Sequence, residues 1–221
     1  MKKIKGGLIV SCQALEDEPL HSSYIMTRMA VAAKLGGACG IRANGVADIT
    51  AIRQVVKLPM IGIIKEKNPN SQVIITPSEE HVDQLVRCGV EIIAVDATNR
   101  LRPGNITLAG FFGQIRKKYP DQLFMADCSN LEEGIFAAEL GFDIVATTLM
   151  GISKGGQTHE RHVELVKQLV KNQPKPVIAE GNIWDPEQLK EVLDAGAFAA
   201  VIGSAITRPQ EITKRFIKAI K

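Results

Sequence analysis

The stretch Leu123-Phe-Met-Ala-Asp-Cys-Ser-Asn-Leu-Glu-Glu133, followed by Leu140-Gly141 and a second apolar run over 143–148, decides the fold. It opens on an apolar run that stops at Asp127, as a strand buried on both faces does. Ser129 or Asn130, with Glu132 or Glu133 three residues on, resembles a capping box and so predicts a helix start. Gly141 closes that helical stretch as a glycine in the left-handed C′ position would. Strand-like residues then resume, so the stretch reads as strand, helix, glycine, strand.

Working outward, the same unit recurs. Gly40-Ile-Arg42, Ile61-Gly-Ile-Ile-Lys65, Ile92-Ile-Ala-Val-Asp96 and Val177-Ile-Ala-Glu180 are further apolar runs that stop on a charged side chain. Strand cores are expected at about 7–12, 38–42, 60–65, 91–96, 123–127, 143–148, 176–180 and 199–203. Leu35-Gly36, Cys88-Gly89 and Ala195-Gly196 repeat the glycine joint, and Asp185-Pro186-Glu187 supplies a cap and a first-turn proline. Eight such units in 221 residues predict an α/β fold, a single-domain (β/α)8 TIM barrel over 1–221, at the small end for that architecture. The competing arrangement is an open doubly wound sheet, which uses fewer strands and binds its ligand where the strand order reverses. Both place chemistry at strand C-termini.

Composition narrows the function. Hydrophobic residues at 45% and charged residues at 23% are ordinary globular usage. A formal net charge of +3, two tyrosines, one tryptophan and no RNP-like or arginine-rich segment argue against a nucleic-acid partner. Lys117, Lys118, Lys167 and Lys171 sit at helix ends, where positive charge complements the helix dipole. Cys12, Cys39, Cys88 and Cys128 have no CxxC spacing, and three of them fall in or beside strand cores, as buried thiols of a reducing cytosol do. No apolar run long enough for a signal peptide precedes the first strand, and none of 18 residues exists to span a membrane. The expectation is a cytoplasmic protein. Its oligomeric state stays open, with a homodimer among the arrangements.

Strand ends converge in a barrel, which would gather Arg42, Lys65, Asp127 and Glu180 in one place. A lysine or glutamate ending a core strand costs desolvation energy unless it is paired. A structural Lys–Glu or Arg–Asp pair closing the mouth is therefore the alternative to catalysis. Lys65 and Glu180 share a strand face with Ile63 and Ile178, which predicts that both point inward. Glu180-Gly-Asn182 and Ile202-Gly-Ser204 follow the seventh and eighth strands, where this fold often holds a phosphate on backbone N–H groups. Arg208, just before a helix start, is placed to reach the same anion or the sugar. His159 and His162 lie at i, i+3 without a third ligand, so they are read as a surface helix and not as a metal site. The chain has no nucleophile elbow, Walker loop or GxGxxG, which removes the usual support for hydrolase, ATPase and dinucleotide readings.

Six motifs in order, Gly6-Gly-Leu-Ile-Val-Ser-Cys-Gln-Ala14, Gly40-Ile-Arg-Ala-Asn-Gly-Val46, Ile61-Gly-Ile-Ile-Lys-Glu66, Ala126-Asp-Cys-Ser129, Ala179-Glu-Gly181 and Gly203-Ser-Ala-Ile-Thr-Arg-Pro209, closely resemble the bacterial N-acylglucosamine-6-phosphate (N-acetylmannosamine-6-phosphate) 2-epimerases. The resemblance implies a (β/α)8 barrel that interconverts two phosphorylated amino sugars in sialic-acid breakdown, with no redox cofactor. It implies Lys65 as a proton carrier with Glu180 as its acid-base partner, and Gln13, Arg42, Asp127 and Arg208 as sugar-contacting residues. Backbone around Gly181, Asn182, Gly203 and Ser204 would hold the phosphate. Two places depart from the pattern: Asn182 stands where the family commonly has arginine, and Thr147–Gly156 departs from the usual Thr-Thr-Leu-Ser-Gly-Tyr-Thr. Lys154 is a candidate for the missing charge, and its neighbours Gly155 and Gly156 suggest a mobile loop. Another phosphate-handling barrel, such as a ribulose-phosphate epimerase, would need a different acid-base set, two opposed aspartates or a metal. A non-catalytic phosphosugar-binding domain would bind without exchanging hydrogen.

Overall fold

Alternation along the strands decides which side chains fill the centre, since residues i and i+2 of a strand share a face. In the computed structural model, which describes residues 1–152 and 158–220, one parity supplies Ile9, Ile61, Ile63, Ile92, Ala94, Met125, Ile144, Ala146, Ile178, Ala199 and Val201 to a single buried cluster. That cluster is the barrel interior. The other parity, including Val10, Ile41, Ile93, Phe124, Val145, Ala179 and Ala200, packs outward against Met26, Ile49, Leu85, Phe112, Val166 and Val192 of the helices.

The strands are β1 (Leu8–Cys12), β2 (Gly40–Asn44), β3 (Met60–Ile63), β4 (Ile92–Asp96), β5 (Leu123–Asp127), β6 (Ile144–Ala146), β7 (Val177–Glu180) and β8 (Ala199–Ile202). All pair in parallel and in sequence order, and β8 closes onto β1 through Leu8↔Ala200, Ile9↔Val201 and Val10↔Ile202. The barrel is therefore closed, and the open doubly wound alternative is ruled out. Helices α1 (Ser23–Leu35), α2 (Val46–Val55), α3 (Glu79–Arg87), α4 (Leu108–Lys118), α5 (Leu131–Leu140), α6 (His159–Asn172) and α7 (Pro186–Asp194) cover the outside, and the short α8 (Ser204–Thr207) leads into α9 (Pro209–Lys218).

The joints differ from expectation in detail. Gly89, Gly141 and Gly196 are left-handed at φ 67°, 99° and 102°. At the end of α1, Gly36 stays helical at φ −74°, and the next residue, Gly37, makes the left-handed turn at φ 94°. Strand β2 begins two residues later than expected, because its register on β1 sets Gly40 opposite Ile9. Arg42 is consequently mid-strand. Asn130 caps α5, its Oδ1 accepting from Glu133 N at 2.9 Å. The Glu133 carboxylate does not return to the cap residue: it accepts from Ser129 N and Ser129 Oγ, both at 2.8 Å, and from Asn99 N at 3.2 Å.

The reading of His159 and His162 as a surface pair needs correction. His162 is fully buried, and His159 places Nε2 2.6 Å from Glu191. Residue type suggested the outside, but helical spacing puts His162 on the same face as the buried Leu165, Val166 and Leu169.

Candidate active site

One step beyond the last apolar layer, the inward parity of each strand spells out the barrel mouth. Ser11 follows Ile9, Arg42 follows Gly40, Lys65 follows Ile63 and Asp96 follows Ala94. Asp127 follows Met125, Thr148 follows Ala146, Glu180 follows Ile178 and Gly203 follows Val201. Polar chemistry is thus stacked directly on the hydrophobic filling, so each charge must find a partner or change its proton affinity.

Arg42 finds partners. Its guanidinium forks onto Asp127, with Nη1 to Oδ1 at 3.1 Å and Nη2 to Oδ2 at 2.6 Å, and Nη1 also donates to Glu180 Oε2 at 2.8 Å. Thr148 Oγ1 donates to Asp127 Oδ1 at 2.6 Å and lies 3.3 Å from Glu180 Oε2. The Arg42 and Asp127 side chains are 1% and 0% exposed. Burial alone would lower the proton affinity of Arg42, but the two carboxylates more than offset it and hold the pKa above the ordinary guanidinium value. A bidentate, charge-assisted pair of this kind offsets much of the cost of burial, although Arg42 Nε has no partner among the described residues.

A cavity of about 320 Å³ opens above this pair, walled by Lys65, Thr148 and Glu180 and, around the β7 and β8 loops and the neighbouring end of β1, by Gly181, Asn182, Gly203, Ser204, Arg208 and Gln13. Eight of the ten expected site residues therefore meet there. Arg42 and Asp127 do not reach the wall; they stand behind Glu180 because β2 places Arg42 below the rim.

Lys65 lies just past β3, where it bridges to Ile75 across an antiparallel return of the chain, and its N–H donates to Asn44 Oδ1 at 2.8 Å. Burial, then the positive charges of Arg42 and Arg208, push its ammonium pKa down to about 8, against the pull of Glu180 and Asp127. Glu180 is shifted the opposite way: burial drives its carboxyl up to about 7, Arg42 opposes the rise and Asp127 adds to it. The site thus holds an amine and a carboxyl group that both exchange protons near neutral pH.

The far wall is built from backbone. Gly181 and Asn182 are consecutive left-handed residues, φ 105° and 54°, a conformation that asparagine tolerates better than most side chains. Asn182 Oδ1 accepts from Trp184 Nε1 at 3.1 Å. Gly203 packs tightly on the first strand, since a Cβ there would stand 3.3 Å from Ser11 Cβ. Thr207 Oγ1 donates to Ser11 O at 2.7 Å, tying the last loop to the first strand. Arg208 pairs with Glu18 at 2.9 Å on the rim. Gln13 donates to Ser11 Oγ at 2.7 Å, and its Oε1 has no partner among the described residues.

Sequence reasoning missed Ser11, Thr148, Trp184 and Thr207 on the wall. Counting two residues on from Ile9 and Ala146 would have found the first two; nothing local marks the others. Lys154, the candidate for a replacement charge, lies outside the described residues.

The sequence model of the NanE family, described as "Putative N-acetylmannosamine-6-phosphate epimerase", matches residues 26–221. The chain belongs to that family. Among NanE relatives it is 54% identical over 219 residues to one from Clostridium perfringens (strain 13 / Type A), covering 99% of this chain and 98% of the relative. It is 49% identical over 226 residues to one from Listeria monocytogenes serotype 4b (strain F2365), covering 100% and 97%. A solved N-acetylmannosamine-6-phosphate 2-epimerase from Clostridium perfringens superposes with a TM-score of 0.93 at 53% identity, over 99% of this chain and 95% of that one. A thiamine phosphate pyrophosphorylase from Pyrococcus furiosus, with a TM-score of 0.65 at 16% identity, shares the fold. The NanE family is the one that the six motifs resemble.

Proposed function

We propose that this chain epimerises carbon 2 of N-acetylmannosamine 6-phosphate, giving N-acetylglucosamine 6-phosphate, in the breakdown of amino sugars and sialic acid, with Lys65 and Glu180 moving the proton. The supporting observation is the pair itself, an amine held down to about 8 and a carboxyl held up to about 7 on one cavity. Carbon 2 releases its proton only beside a carbonyl, so the sugar ring opens first to the aldehyde. One group then takes the C–H proton while the electron pair moves onto the aldehyde oxygen as an enolate. The other group returns a proton to the opposite face, and the carbonyl re-forms.

The working pair carries a single proton. Neutral Lys65 with protonated Glu180 starts one direction, and protonated Lys65 with the Glu180 carboxylate starts the other. Enolate charge develops in the field of Arg42 and Arg208, and of Lys65 once it has taken the proton, the kind of preorganised stabilisation that acts strongly away from water. Arg42 supports the chemistry from behind by holding the Glu180 carboxyl at 2.8 Å, and Asp127 holds Arg42 in place. Gln13 and Arg208 contact the sugar. The amides of Gly181, Asn182, Gly203 and Ser204 take the phosphate, whose binding energy holds carbon 2 against the base. A set of two opposed free aspartates is not supported, since Asp127 is closed by Arg42 and Asp96 by Thr98 and Arg100.

The setting that fits is the cytoplasm: the four cysteines are free, and no helix among the described residues is long and apolar enough to cross a membrane. A homodimer is favoured by α9, which buries none of its residues and leaves Phe216 72% exposed. The deciding experiment is incubation of N-acetylmannosamine 6-phosphate with the protein in D2O. The carbon 2 hydrogen should be replaced by deuterium in both sugars; binding with retention of that hydrogen would leave a phosphosugar receptor instead.

A further inference from the structure

The ladder between β6 and β7 stops at Ala146↔Ile178, short of Glu180. Beyond it, a single side chain takes over. Thr147 Oγ1 accepts from Glu180 N at 3.0 Å and donates to Glu180 O at 3.0 Å, so both backbone groups of the residue are held by one hydroxyl. The third neighbour of that hydroxyl is His162 Nε2, at 2.7 Å. A hydroxyl has one proton and two acceptor sites. With the proton on Glu180 O and one site taken by Glu180 N–H, the remaining site is open to an N–H from His162 when the ring carries its proton on Nε2.

We propose that Thr147 and His162 are positioning residues for Glu180: the buried ring orients the threonine hydroxyl, which takes the place of a neighbouring strand and sets the direction in which the carboxyl enters the cavity. Thr147 and Thr148 point to opposite faces, as successive strand residues do. The dipeptide therefore clamps Glu180 twice, through its backbone on the α6 side and through its carboxyl on the cavity side, where Thr148 Oγ1 lies 3.3 Å from Oε2. Lys65 is served in a parallel way, with Asn44 at the end of β2 accepting its N–H. Burial lowers the pKa of His162 to about 4, His159 adding to the effect, so the ring stays neutral beside the site and contributes geometry, not charge.

The inference rests on Glu180 carrying a proton, so the test includes Glu180→Gln as a control. Turnover of the phosphosugar and thermal unfolding are measured for the full chain and for Thr147→Val, Thr147→Ser, His162→Phe and His162→Gln. Misplacing a reacting group by about 1 Å costs roughly 100-fold, so Thr147→Val should lower kcat by about that factor and His162→Phe by about 10-fold. KM should change less than kcat for both, because neither Thr147 nor His162 lines the cavity. Thr147→Ser keeps the hydroxyl and His162→Gln keeps an N–H near the position of Nε2; each should restore most of the turnover. Should Thr147→Val fail to fold, the two His162 variants decide. Parent-like kcat in His162→Phe, or losses that track the melting temperature and are not restored by serine or glutamine, would overturn the positioning role while Glu180→Gln remains inactive. An active Glu180→Gln would overturn the acid-base assignment itself, and this inference with it.

Discussion

Glu180 ends β7 and Lys65 lies two residues past β3, and burial moves their proton affinities toward each other, to about 8 and about 7. Shifting the two groups toward each other brings the two one-proton arrangements of the pair closer in energy, so neither direction of the reaction lacks its starting form. As pH falls through the lower value both groups become protonated and no base remains; as it rises through the upper value both lose protons and no acid remains. A plot of kcat/KM against pH should be a narrow bell with limbs near those two values, each belonging to the pair and not to one residue. Lys65→Ala and Glu180→Ala should each lower turnover by about 100- to 10,000-fold in the same assay. A flat profile, or near-full activity in both variants, would exclude the assignment. Both residues were legible in the sequence as charges ending core strands. Their company was not, because the shift of each depends on groups brought in from other strands.

The start of α5 shows how an element can be recognised while its wiring is not. The pattern of Asn130 with Glu133 announced a helix, and the cap formed as expected. The Glu133 carboxylate instead bridges Ser129 and Asn99, joining the loop after β5 to the loop after β4. No local pattern could name Asn99, since that contact exists only once neighbouring loops are stacked by the barrel. Glu133 is 8% exposed, so removing its carboxylate leaves backbone donors without a partner in a place water reaches poorly. Glu133→Ala should destabilise the fold by about 2–3 kcal/mol, read as a lower urea midpoint at unchanged slope, with kcat of the folded protein preserved. His162 teaches the same lesson for α6, where the helical stripe and not residue type decided burial.

Closure of the barrel is what turns scattered residues into a site. Arg42 and Glu180 are separated by 138 positions and stand 2.8 Å apart because β8 returns to β1. Closure also sets the loops after β7 and β8 across the barrel from the end of β3, where Lys65 stands, so that a sugar can span the cavity with its phosphate on the backbone wall. Binding energy collected at that end is usable at carbon 2 only because the scaffold fixes the distance between them. The same sugars without the phosphate should therefore react with kcat/KM reduced on the order of 100-fold or more. Equal kcat/KM with and without the phosphate would remove its role as a handle.

Periodicity, glycine joints and helix caps were enough to establish the order of strands and helices and to mark Lys65, Asp127 and Glu180 as strand-end charges, because these are properties of a few adjacent residues. The motif sequence went further and pointed to the family. Only the tertiary structure decided that the sheet closes, that β2 starts late enough to bury Arg42 behind Glu180, and that Thr147, backed by His162, holds the Glu180 backbone. Register, closure and the proton affinity of a buried group each sum contributions from residues far apart in the chain, and that sum has no value until the chain has folded.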